Sequence, residues 1–136
     1  AGEAPSEIRA VGVPVLTDKV DLCHAWVEFP GGLVANLTAS RVSAERIRKL
    51  RLFARESYFS IDYAEQSVSS VQLVQNPNGI EIAPRLVDVE KDEPLKAELG
   101  TFIAACRGEE SPIVSGHTGA AARAAAITVR ECVENR

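Results

Sequence analysis

The sequence predicts an α+β fold: an open, mainly antiparallel β-sheet with two C-terminal helices packed on one face and the other face available for dimerisation. Three observations carry this. Apolar and β-branched residues recur at period two, between turn signals, through the first two-thirds of the chain. From Pro94 onward the period becomes that of a helix. The 136 residues are 46% hydrophobic and 25% charged, the make-up of one ordinary folded domain, so residues 1–136 are read as a single domain.

The first strand is expected over residues 7–16, carrying Ile8, Val11, Val13 and Val15. The second covers 21–29 and the third 33–41, joined at Pro30-Gly31-Gly32, where glycine supplies the positive φ of a short reversal. Alternation puts Cys23, Ala25, Val27 and Phe29 on one face and Leu22, His24, Trp26 and Glu28 on the other. Across the hairpin, Ala35, Leu37 and Ala39 extend the apolar face, and Asn36, Thr38 and Ser40 the polar one. Further strands are expected at 48–54, 58–63 and 68–75, with Asn76-Pro77-Asn78-Gly79 as a turn. Residues 80–89 are expected to form a last strand or an extended return, which Pro84, with no N–H to donate to a neighbour, either confines to an edge or interrupts.

The first helix presents Leu95, Leu99, Phe102, Ile103 and Cys106 as one stripe, is capped by Asp92 or Glu93, and is stopped by Gly108. After Ser111-Pro112 a second helix covers 118–135, with Ala122, Ala125, Ala126, Val129, Cys132 and Val133 on one side. The sheet face left over carries His24, Trp26, Asn36, Thr38, Arg51, Phe53, Arg55 and Tyr58. Trp, Tyr, Phe and Arg are enriched at protein interfaces, so this face is expected to pair with a second copy of the chain.

Composition excludes several functions. No stretch approaches the ~20 consecutive apolar residues of a membrane span, and the start lacks the basic and apolar regions of a signal peptide, so the reading is cytoplasmic with no membrane partner. A length of 136 residues suffices to bury a core without disulfide or metal staples. Cys23, Cys106 and Cys132 are odd in number and widely spaced, and read as reduced thiols. The net charge of −4 and the scarcity of aromatics argue against nucleic acid. That charge is uneven: between Arg41 and Arg55 six bases face the single acid Glu45, giving +5 against −9 for the remainder. Such arginines either clamp an anion or form a solvated or partner-facing surface.

No Gly-x-Gly-x-x-Gly or Gly-x-x-x-x-Gly-Lys-Ser/Thr turn occurs, so the chain is not expected to bind a nucleotide cofactor by itself. Cys23 and His24 are adjacent on a strand and point to opposite sides, which rules out a nucleophile–base dyad. With only His24 and His117 available, no metal site is expected. His117 lies in Ser115-Gly116-His117-Thr118-Gly119 ahead of a helix, where an anion or a capping oxygen from Ser115 or Thr118 could meet the free N–H groups. The chain contains no methionine, which suggests a fragment.

Several stretches together resemble the C-terminal domain of the Gfo/Idh/MocA oxidoreductases. They are Ala10-Val11-Gly12-Val13-Pro14-Val15, the run from Val27 to Arg41 through Ala35-Asn36-Leu37-Thr38-Ala39-Ser40-Arg41, Lys49-Leu50-Arg51-Leu52-Phe53, and Ser60-Ile61-Asp62-Tyr63. The ending from Pro94 through Val114-Ser115-Gly116 into the alanine-rich helix completes the match, in order, across nearly the whole chain. The resemblance implies a parent protein that uses NAD or NADP, bound in a separate N-terminal Rossmann domain, to oxidise or reduce a sugar, sugar nucleotide or cyclitol. It implies that this chain supplies a wall of the substrate cleft and a homodimer face. The family's Glu-Lys-Pro motif and proton-transfer histidine have no counterpart here, so catalytic, cofactor-binding and metal residues are all assigned as none. The basic strand after Ala-Asn-Leu-Thr-Ala-Ser-Arg resembles members associated with lipid A or UDP-sugar metabolism. Arg41 and Tyr63, each ending a strand, are the substrate-cleft candidates. A stand-alone ligand-binding or dimerisation module is the competing expectation.

Overall fold

The structure, a computed structural model, describes residues 3–77, 79–109 and 114–135. Expectations for the extreme N-terminus, for Asn78 within its turn and for Ser111-Pro112 lie outside the described residues. Among the described residues, seven strands and two helices follow in the expected order, an α+β arrangement with open antiparallel strand pairing and no closed barrel. The strands form two ladders rather than one, and the chain divides into two compact units, residues 1–44 with 104–136 and residues 45–103.

In the first unit, β1 (Glu7–Val13), β2 (Leu22–Glu28) and β3 (Val34–Ser40) form a meander in that order. Its register places Ala10, Ala25 and Leu37 in one cross-strand row and Val11, His24 and Thr38 in the next. The β2–β3 reversal is a β-turn with Pro30 and Gly31 at its centre: Gly32 N–H donates to Phe29 O at 3.1 Å, and Gly31 and Gly32 take φ of 87° and 85°. β3 ends where Ser40 Oγ accepts from the N–H groups of Val42 and Ser43, turning the backbone away from extension.

Helix α2 (Gly116–Glu134) packs on β1. Gly12 makes the approach close enough: a Cβ there would overlap Val133 Cγ1 and sit 2.7 Å from Val20 Cγ1. Cys132 Sγ donates to Ile8 O at 3.6 Å beside it. The buried apolar residues among those described are Ala10, Ala25 and Val27, all beneath this contact. Leu37, expected in the core, is 53% exposed, because α2 lies over β1 and β3 is two strands away.

In the second unit, β4 (Lys49–Phe53), β5 (Ser57–Asp62), β6 (Ser67–Asn76) and β7 (Gly79–Val87) form another antiparallel meander. β7 is an edge strand, as Pro84 requires. Helix α1 (Pro94–Cys106) starts as expected: the Glu93 carboxylate accepts from the N–H groups of Leu95 and Lys96 at 3.2 and 2.9 Å. It ends at Gly108, whose φ of 76° allows its N–H and that of Glu109 to satisfy the carbonyls of Ala105 and Ala104. The α1 apolar stripe of Leu95, Leu99, Phe102 and Ile103 is exposed. No described helix is long and apolar enough to cross a membrane.

Candidate functional site

Each sequence-selected residue belongs to one unit or the other. In the first, Arg41 follows β3 just where Asp21 precedes β2, so the Leu22–Ser40 register carries the two onto each other. Arg41 N–H donates to Asp21 O at 3.1 Å, its Nε donates to Asp21 Oδ1, and its Nη2 donates to Thr17 Oγ1 at 2.8 Å. Asp21 Oδ2 meanwhile accepts from the backbone N–H groups of Val15, Leu16 and Thr17 at 2.8, 2.7 and 3.1 Å. The Val15 and Leu16 N–H groups, with Arg41 beside them, hold this buried carboxyl well below the usual carboxylate range. Half of the Arg41 side chain is still exposed. Its Nε fixes the loop between β1 and β2, a role that reading each residue alone did not expose.

On the open face of the same ladder, His24 Nδ1 and Thr38 Oγ1 lie 3.0 Å apart, and Trp26 stands between Arg9 and Asn36. Trp26 is 42% exposed. Arg9 is held by a two-point bond to Glu7 at 2.7 and 2.9 Å. The structure thus brings four of the eight dimer-face candidates together on one surface, with Val11 and Val13 added to them. Cys23 points to the other face, alongside Gly12 and Ala39.

The remaining four belong to the second unit. Arg51 pairs with Ser60 and Phe53 with Tyr58 across β4 and β5, so these side chains share a face. The Phe53 and Tyr58 rings are 4.8 Å apart at 44°, and Phe53 is 80% exposed. Arg55 is exposed in the β4–β5 turn, which is closed by Ala54 N–H to Ser57 O. Tyr63, also exposed, follows β5 and donates its N–H to Arg48 O at 2.8 Å. Next to it Lys49 Nζ reaches Asp62 at 3.0 Å; with the N–H groups of Glu65 and Ala64, this lowers the Asp62 carboxyl.

A shallow depression of about 410 Å³ is lined by Ala64, Glu65, Gln66, Lys91, Asp92 and Glu93, without Tyr63. Gln66, with φ of 50°, grips the Asp92 backbone at both ends: Nε2 donates to Asp92 O at 2.8 Å and Oε1 accepts from Asp92 N–H at 3.0 Å. No periodicity or motif marks this clamp, which joins residues 26 positions apart. At the start of α2, Ser115 Oγ accepts from Thr118 N–H at 3.2 Å, the capping arrangement weighed above, with His117 exposed. Among the described residues no three His, Cys, Asp or Glu side chains are grouped to hold a metal ion.

The chain is similar to the UDP-N-acetylglucosamine 3-dehydrogenase of Acidithiobacillus ferrooxidans, with 35% identity over 135 residues that cover 98% of this chain and 43% of that protein. Two crystal forms of that dehydrogenase superpose with TM-scores of 0.86 and 0.87 at 34% identity, covering 98% of this chain and 42% of theirs. A solved structure from Desulfitobacterium hafniense DCB-2 shares the fold at a TM-score of 0.76 and 14% identity, over 98% of this chain and 41% of its own. No family model matches the chain. The chain is therefore homologous to a sugar-nucleotide dehydrogenase over its own length and spans less than half of that relative.

Proposed function

We propose that this chain is the C-terminal, substrate-binding and dimerisation part of a Gfo/Idh/MocA-type NAD(P)-dependent oxidoreductase whose substrate is a nucleotide-linked sugar. The observation that carries the reading is the 35% identity to UDP-N-acetylglucosamine 3-dehydrogenase over 98% of the chain. The parent reaction moves a hydride between a sugar carbon and a nicotinamide held by another part of the protein.

Two features support placing the cofactor elsewhere. The sequence lacks a glycine-rich dinucleotide turn, and the N-termini of both helices are met by their own side chains. The carboxylate of Glu93 at α1 would oppose a pyrophosphate electrostatically. A nicotinamide dinucleotide does not fit these residues, and no proton or hydride step is assigned to them.

In this reading, His24, Trp26, Asn36 and Thr38 in the first unit and Arg51, Phe53, Arg55 and Tyr58 in the second belong to the surfaces that meet a second copy, and Arg41 and Tyr63, one in each unit, are separate candidates for contact with substrate. The test is oxidation of UDP-N-acetylglucosamine by the intact cellular protein with NAD or NADP, followed by reduced nicotinamide absorbance, alongside the protein's mass. Turnover by a protein two to three times the mass of this chain is expected. A cellular mass of 14.6 kDa without turnover would favour a stand-alone binding module instead.

A further inference from the structure

We propose that Arg41 binds the diphosphate of the nucleotide-linked sugar and that Asp21 and Thr17 are the positioning residues that aim it, an inference that rests on the sugar-nucleotide reading above. The β2–β3 ladder brings the group together. Arg41 N–H donates to Asp21 O at 3.1 Å, which carries the Leu22–Ser40 register one pair further. By alternation both side chains then fall on the side of Cys23 and Ala39, away from His24, Trp26, Asn36 and Thr38. The arginine is clear of the face that is expected to meet a second copy.

A guanidinium presents its five N–H donors on two edges, Nε with Nη2 along the side and Nη1 with Nη2 at the end. The side edge of Arg41 is occupied: Nε donates to Asp21 Oδ1, and Nη2 donates to Thr17 Oγ1 at 2.8 Å. Among the described residues nothing accepts from Nη1, and 52% of the side chain is exposed. What stays open is the end-on fork, two parallel N–H donors matched to two oxygens of one phosphate.

Both anchors are themselves fixed. The Asp21 carboxylate is fully buried, and its Oδ2 accepts from the N–H groups of Val15, Leu16 and Thr17, so it cannot swing outward with the arginine. Those N–H dipoles offset the carboxylate charge and leave positive potential on the far edge of the guanidinium. Thr17 Oγ1 is held in turn by the Lys19 N–H at 3.2 Å. In the same loop Asp18 and Lys19 carry opposite charges that cancel. An arginine fixed before its ligand arrives avoids the ordering cost that a loose surface arginine meets on binding. Diphosphate is the anion that a nucleotide-linked sugar brings to such a fork.

The test uses the intact cellular protein: calorimetric titration with UDP and with uridine, and initial rates with UDP-N-acetylglucosamine and NAD or NADP, for the native sequence and for Arg41→Ala, Arg41→Lys, Thr17→Val and Thr17→Ser. UDP is expected to saturate. Arg41→Ala should weaken UDP by about tenfold or more with uridine unchanged, and Arg41→Lys should recover part of the loss. Thr17→Val should weaken UDP by about threefold, and Thr17→Ser should restore it. In turnover the losses should fall on KM for the sugar nucleotide rather than on kcat or on KM for the nicotinamide nucleotide.

Absence of saturable UDP binding, or equal UDP affinity in the native protein and Arg41→Ala, overturns the proposal. So does an equal loss of UDP and uridine, which would make the ion pair a support of the fold alone. A rise confined to KM for the nicotinamide nucleotide overturns it too, by giving the arginine to the cofactor's diphosphate. An Arg41→Ala loss that Thr17→Val does not share removes the positioning role of Thr17. UDP-N-acetylglucosamine turnover with variant-independent UDP affinity would sink the site alone. Variant-sensitive UDP binding without turnover would keep the site and sink the dehydrogenase reading.

Discussion

Arg41 and Asp21 lock the ends of β3 and β2 together, through the Arg41 backbone N–H to Asp21 O and the guanidinium to Asp21 Oδ1. The second carboxylate oxygen draws three successive N–H groups of the preceding loop inward. The carboxylate is an inward-facing anion around which an eight-residue connection is wound, and its charge is what the loop folds against.

Asp21→Asn is expected to lower Tm at pH 7 by roughly 5 °C or more. The folded-state pKa of Asp21 lies below its value of ~3.9 in the unfolded chain, so the ionised group stabilises the fold above about pH 4. That stabilisation is lost as pH falls through the folded-state value, and the gap between native and variant Tm should close under acid. Thermal melts by circular dichroism from pH 7 downward read both quantities.

Gly12→Ala should destabilise the first unit by about 1 to 3 kcal/mol, because the new Cβ meets the stiff, β-branched side chains of Val133 and Val20. Urea unfolding gives the number. A companion Val133→Ala change should restore part of the loss by reopening the space.

Removing the Glu93 carboxylate with Glu93→Ala leaves the Leu95 and Lys96 N–H groups without their acceptor, at a cost of about 1 kcal/mol. Gln66→Ala frees the Asp92 amide from its clamp. Hydrogen exchange should accelerate at residues 95 and 96 in the first variant and at residue 92 in the second.

Trp26→Glu places a charge at the middle of the open β1–β3 face. Sedimentation equilibrium should show a dimer converted to monomer, with the helical circular dichroism signal retained. A dimer that survives the change would move the contact to another surface.

All seven strands and both helices were legible in the sequence, within a few residues at each end. The reason is that their signals are local: period-two alternation in Cys23-His24-Ala25-Trp26-Val27, a Pro-Gly-Gly reversal, a carboxylate ahead of Pro94 and a serine ahead of Gly116. The opposite facing of Cys23 and His24 follows from the same alternation. The common face of His24, Trp26, Asn36 and Thr38 was legible in the same way, whereas the pairing of His24 with Thr38 and of Trp26 with Asn36 comes from the register that the hairpin turn sets.

Sequence alone therefore determined the class of fold, the order and kind of its elements, and which side chains share a strand face, since each depends on neighbours within a turn or a hairpin. Tertiary structure decided the rest. The break between β3 and β4, the tie of Arg41 to Asp21, the Gln66 grip on Asp92, the exposure of Leu37 and the alignment of Arg51 with two serines all arise between residues brought together by folding. Hydrogen bonds and ion pairs of that kind depend on sub-ångström placement of groups far apart in the chain, and composition and periodicity carry no information about it.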